Sequence, residues 1–354
     1  MLSAISFYGC ENNGNDGVID GNYVPVTQQS YEKNVATIDG ESPVAGSDTA
    51  FGGTLTSDLA LNFTIGESSA RISENETLKL QYLNELLKMS LTGEVNVTAG
   101  EDFSDGLILM ITELLSLPQS EETPDIGALN ATGRINAFFD DAVLYLNARL
   151  NGLSERQKEL LREEGFDVDE IGMEDGIRYR LSDTDVKETA METVGSMVGF
   201  ISETLREIKT VDYETVQDYI TLFDINFDID DMEEGFNVRL KTTDGTAAKL
   251  RAWANENDDD LKEFFDFATL DTLDLTLYLS FDGYGKLVKI AANGDVSLSF
   301  TAGETPVTAG ISGSATLSFA IPKIDFPDFT DYVDPAGNNG DTENSQENLE
   351  VITQ

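Results

Sequence analysis

Residues 273–281 alternate Leu273, Leu275, Leu277, Leu279 and Phe281 with Asp274, Thr276, Tyr278 and Ser280. A strict period of two sends the two sets of side chains to opposite faces of a strand, one oily and one wet. The same pattern recurs at residues 55–65, 91–99, 135–139, 142–150, 225–229, 236–240, 296–300 and 315–321, with helical segments between some of these blocks. So many two-faced strands predict a large antiparallel sheet covered on one side only, in an α+β chain.

The helical segments follow from spacing and caps. Residues 76–88 read as a helix that gathers Leu78, Tyr82, Leu83, Leu86 and Leu87 on one side. Ser154 with Gln157 three residues later makes a capping box, opening a helix that runs to about residue 164. The longest helix spans 185–209, with Val194, Met197, Val198, Ile201, Leu205 and Ile208 as an apolar stripe that reads as core. Shorter helices are expected at 213–222 and within 247–267. Residues 107–115 are continuously apolar, so the period leaves strand or helix open there. Hairpin turns are expected at residues 140–141, 233–235, 282–283, 293–295 and 303.

Composition limits function. With 22 basic and 66 acidic residues the net charge is −44, which repels nucleic-acid and lipid phosphates alike, so no nucleic-acid partner is expected. The charge reads first as the solvated surface of an exported protein. The chain contains no histidine. That removes Ser-His and Cys-His nucleophile pairs and the common zinc and iron ligand sets. A carboxylate-only site of the glycosidase type survives, needing two acids at a separation of about 5–10 Å. Asn13, Asn15, Asp16 and Asp20 lack EF-hand spacing, and residues 167–178 place Ile171 and Arg178 where ligands belong, so both read as solvated turns. No cofactor, metal or catalytic residue is expected. Asn-x-Thr triplets start at Asn62, Asn75, Asn96 and Asn130 and would matter only in a glycosylating pathway.

Cys10 is the single cysteine, so no disulfide forms within the chain. The uncharged, mostly apolar residues before it end at Gly9, and the chain turns polar at Glu11. This arrangement resembles the lipobox of bacterial lipoproteins, where the cysteine is acylated. It departs in its shortness, in lacking a basic region, and in the bulk of Phe7 and Tyr8.

Four regions follow: a truncated signal or lipobox-like segment at 1–10, a polar tether or partly ordered lead-in at 11–50, a folded domain at 51–333, and a disordered acidic tail at 334–354. The order of elements, the lipidation-like cysteine and the Pro-punctuated ending Ile321, Pro322, Lys323, Ile324, Asp325, Phe326, Pro327 through Tyr332 resemble the LolA/LppX-like lipoproteins and lipoprotein carriers. That resemblance implies a half-barrel: a large, curved, one-sided antiparallel sheet with helices packed in its concave face, which accepts acyl chains or another greasy ligand. The expected function is that of a non-enzymatic, lipid-anchored envelope protein, extracytoplasmic on a bacterial surface, holding a lipid or other apolar small molecule against Phe227, Ile229, Phe236, Leu277, Leu279, Phe281, Phe300 and Phe319, with Cys10 as membrane anchor. The alternative is a structural or adhesive surface lipoprotein with a solid core, whose wet face would meet a partner through Tyr145 and Tyr278.

Overall fold

The structure, a computed structural model, describes residues 17–40, 50–84, 86–100, 103, 127–140, 143–163, 176–182 and 185–334. Cys10, residues Asn13, Asn15 and Asp16, the 107–115 run, the Pro-containing 118–124 loop, the 167–172 motif and the tail beyond residue 334 lie outside the described residues.

Among the described residues twelve strands form one antiparallel sheet that does not close. They are β1 (Val24–Pro25), β2 (Ala50–Ile65), β3 (Ser68–Leu83), β4 (Leu86–Ala99), β5 (Leu129–Asp140), β6 (Val143–Asn151), β7 (Ile177–Ser182), β8 (Ile225–Met232), β9 (Gly235–Thr242), β10 (Thr269–Phe281), β11 (Leu287–Ala302) and β12 (Thr305–Ser318). Their spatial order is β1-β8-β9-β10-β11-β12-β2-β3-β4-β5-β6-β7. Two meanders, β2 to β7 and β8 to β12, are thus joined where the last strand pairs with the first long one. Six helices are described: α1 (Gln28–Val35), α2 (Glu155–Glu163), α3 (Asp185–Ile208), α4 (Tyr213–Phe223), α5 (Thr246–Asn257) and α6 (Asp259–Phe267).

Register carries the alternation across the sheet. Leu277 opposes Leu240 on one side and Ala292 on the other, and the row continues through Ala315, Ser57, Glu76, Gly93 and Ile135. Helices α1, α3 and α4 cover the apolar face at one end, where Tyr31, Leu205, Ile229, Phe236, Val238, Phe281, Leu287 and Phe319 form the main buried cluster. Phe236 and Phe281 stack there with centroids 4.6 Å apart. The expected stripe on α3 contributes Ile201, Leu205 and Ile208 to this cluster. The Ser154 and Gln157 box forms in both directions, with Ser154 N–H donating to Gln157 Oε1 at 2.8 Å and Gln157 N–H donating to Ser154 Oγ at 3.3 Å.

Three expectations are corrected. Residues 76–83 and 86–88 are strand, in β3 and β4, and Asn84 sits in the left-handed region at φ 51° where β3 ends. Leu78, Leu80 and Tyr82 point one way with period two, and pairing with β2 on one side and β4 on the other outweighs helix propensity. Residues 293–295 are not a turn but the middle of β11, where Gly294 opposes Leu275 and Gly313. Nor are Tyr145 and Tyr278 exposed.

The last point changes the picture of a one-sided sheet, because chain segments lie on the polar face. Tyr145 stacks on Phe329 at 3.7 Å, and Phe138 packs against Phe326 and Phe329. This C-terminal strap ends with Val333 bonded to the β7 backbone at Arg178 and Arg180. The lead-in also carries order: Gly17 accepts from Asn293, Tyr23 packs on Tyr278, and β1 pairs with β8 at the sheet edge. The chain then passes to the apolar face, where Thr27 caps α1 and Tyr31 meets Phe227 edge-on.

Candidate functional site

Away from the aromatic cluster the apolar face dips into a groove of about 370 Å3. Its apolar walls are Leu59, Ile225, Leu240, Leu275, Leu277, Val296 and Ile311, and its floor includes Ala292, Gly294, Gly313 and Ala315. The floor is low because small residues occupy positions in the apolar phase of β11 and β12. Gly313 sits at φ +142°, and a Cβ there would collide with the Asp58 carbonyl oxygen. A Cβ on Gly294 would run into the Asp274 carbonyl. Neither position accepts a side chain without moving a neighbouring strand. Leu275 and Ile311 are each 43% exposed at the rim.

Behind this floor the polar face is locked. Asp228 and Arg239 oppose each other across β8 and β9, with Arg239 Nη2 2.7 Å and Nε 3.1 Å from Asp228 Oδ2. The guanidinium lies 4.6 Å from the Tyr23 ring centroid, a cation–π contact. Burial pushes the Tyr23 phenol well above its usual range; Tyr278 and Asp230 push the same way and Arg239 opposes. The neutral phenol is therefore the form the fold prefers. Its contribution to stability is complete below the unfolded pKa of about 10 and is lost as pH rises toward the folded value. Urea unfolding between about pH 9 and 11 should show stability falling more steeply in the wild type than in Tyr23→Phe. Equal slopes would mean that Tyr23 is not held neutral by the sheet.

The eight residues expected to line a ligand site divide by place. Leu277 lines the groove. Ile229, Phe236, Phe281 and Phe319 are buried in the main cluster, and Phe227 and Leu279 pack against it. Phe300 belongs to a smaller cluster with Ile65, Ala302, Val307 and Phe103, and meets Phe267 of α6. Sequence reasoning passed over Leu59, Leu240, Leu275, Ile311 and the two glycines. The available signal was glycine in the apolar phase of two neighbouring strands, which marks a place where the face has no side chain to fill it.

Among the described residues no group of three metal-ligating side chains comes together, and no helix is long and apolar enough to cross a membrane. The groups with shifted acidity, Tyr23, Tyr31, Glu94, Asp212, Asp231 and Tyr332, are not among the groove's lining residues. The arrangement is thus suited to holding an apolar body by surface burial. Comparison with known proteins returns no matching family model and no matching curated protein.

Proposed function

We propose that the protein is a non-enzymatic, extracytoplasmic binding protein of half-barrel form, resembling LolA/LppX-like lipoproteins. Cys10 anchors it to the membrane, and the apolar sheet face holds a hydrophobic ligand. The observation that carries this reading is the groove over Gly294 and Gly313, rimmed by Leu275 and Ile311. Its volume of about 370 Å3 falls within the range of roughly 300–1,000 Å3 common to small-molecule sites. Binding is favoured over catalysis because the residues lining the groove are largely apolar and include no acid.

Native mass spectrometry of the full chain purified from its producing cells, followed by organic extraction, tests the reading. The expected spectrum shows a stoichiometric apolar small molecule, and the intact mass reports an acylated Cys10. A clean apoprotein that also ignores added fatty acids and phospholipids would overturn the ligand, leaving a surface lipoprotein with a structural role.

A further inference from the structure

Two glutamates stand on the wrong face of the sheet. On the polar face acids oppose bases: Glu94 Oε2 lies 2.7 Å from Arg134 Nε, and Asp228 faces Arg239. Hydrogen bonds from Asn96 and Arg134 hold the Glu94 carboxyl below its usual range. Glu74 and Glu76 are in the opposite phase of β3. Glu74 opposes Leu59 and Val95, and Glu76 opposes Ser57 and Gly93. Both are half-buried. Among the described residues neither has a hydrogen bond or ion pair, so two carboxylates face an apolar surface without a counter-charge. No protein partner replaces whatever water these carboxylates lose on that face.

A second observation points the same way. Ser57, directly across from Glu76, is 5% exposed, and its Oγ has no hydrogen-bond partner. Buried hydroxyls are normally satisfied, and an orphan in the apolar phase of a strand beside two unpaired acids marks a missing partner. The trio adjoins the groove: Leu59, which lines it, pairs with Gly313 on one side and Glu74 on the other, and Ser57 pairs with Ala315 of the groove floor. Glu76 and Ser57 are directly opposite, about 4.5–5.5 Å apart at Cβ, while Glu74 stands diagonal to Ser57 at about 7–8 Å, within reach of a long side chain, so one small head group can meet all three. Access is open on the far side, where Val95 and Ile135 are each 37% exposed.

We propose that the ligand is a cationic amphiphile, a single apolar chain ending in a protonated amine, whose chain lies in the groove and whose ammonium is held by Glu74, Glu76 and Ser57. An ammonium brings three N–H donors and no acceptor, which matches two carboxylates and a hydroxyl oxygen. This assignment rests on the groove being a ligand site, and it adds the head group.

Full-chain protein titrated by calorimetry with dodecylammonium, dodecanol and dodecanoate, the ions below their micelle concentrations and the alcohol below its solubility limit, tests it. The expected order is dodecylammonium, then dodecanol, then dodecanoate, with the amine at least about tenfold tighter than the alcohol, the scale of hydrogen bonds to charged groups. The double variant Glu74→Gln with Glu76→Gln should bring amine and alcohol to within about twofold while leaving dodecanol binding intact. Because the net charge of −44 attracts any cation, a second variant removes two exposed acids elsewhere, Asp259→Asn with Asp260→Asn in the first turn of α6. That variant should keep the preference. If amine and alcohol bind alike in the wild type, or if both double variants lose the preference equally, the head-group assignment is overturned and the groove stands. If none of the three ligands binds, the groove reading fails with it.

Discussion

Phe281→Ala is expected to lower the unfolding free energy by about 3–5 kcal/mol, the largest stability loss anticipated for a single side chain in this chain. Phe281 is 1% exposed, stacks on Phe236, and sits where β9, β10 and β11 meet the helices on the apolar face. Removing the ring forfeits both the transfer of its carbons from water and the contacts that line the hole it leaves. The surroundings are themselves pinned, since Leu287 across the strand pair is 1% exposed and Phe319 is 4% exposed, so the site has little freedom to collapse. Leu275→Ala, six residues back on the same face of the same strand, should cost less than about 1 kcal/mol because its side chain is 43% exposed. Chemical unfolding curves for the two variants decide the matter. Similar losses would mean that the aromatic end is no more a core than the groove.

The contrast between Phe281 and Leu275 also shows how far the sequence could be read. Both belong to one perfect alternation, and the alternation reports only which face a side chain takes. It correctly places Leu273 through Phe281 on one face and pairs that face with Phe236, Val238 and Leu240. It is silent on what lies above each position along the strand. Solid core and open groove are therefore indistinguishable in the pattern, and the large aromatics mark only the end where helices α1, α3 and α4 pack down. The groove is written in the small residues instead. Asn293 and Gly294 carry a strong local turn signal, yet the alternation continues on both sides of them from Ile290 to Phe300, and a pairing partner on each flank keeps β11 extended. The 76–88 segment fails for a related reason. Leu78, Tyr82 and Leu86 satisfy a helical spacing while Leu78, Leu80 and Tyr82 satisfy a strand spacing, and only long-range pairing chooses between them. Tyr145 and Tyr278 are covered by segments more than a hundred residues away in sequence, Phe329 and Tyr23, and no local period carries that information.

Glu74 and Glu76 are the opposite case, legible in principle. Once β3 is assigned as a strand, its apolar phase runs Ile72, Glu74, Glu76, Leu78 and Leu80, and the two acids stand out as breaks in it. The helical spacing that begins at residue 76 masks the break. Such local violations of an otherwise consistent pattern are where function is expected to reside.

Filling the groove separates binding from folding. Ile311→Trp places a larger apolar side chain at a rim position that is 43% exposed, over the Gly294 and Gly313 floor. The added ring occupies space the ligand would use, so affinity for an apolar chain such as dodecanol should fall by at least about tenfold, near 1.4 kcal/mol. Stability should change by less than about 1 kcal/mol, because the substituted side chain begins half in solvent and forces no buried neighbour to move. Calorimetric titration alongside urea unfolding reads both quantities on one preparation. Unchanged affinity would place the ligand elsewhere on the sheet and remove the groove as its site. Lost affinity with lost stability would instead show that Ile311 belongs to a packed core, and the companion substitution Leu275→Trp on the opposite wall then serves as the independent block. When either bulky side chain abolishes binding with the fold intact, the dip created by two glycines is established as the place where the apolar chain lies.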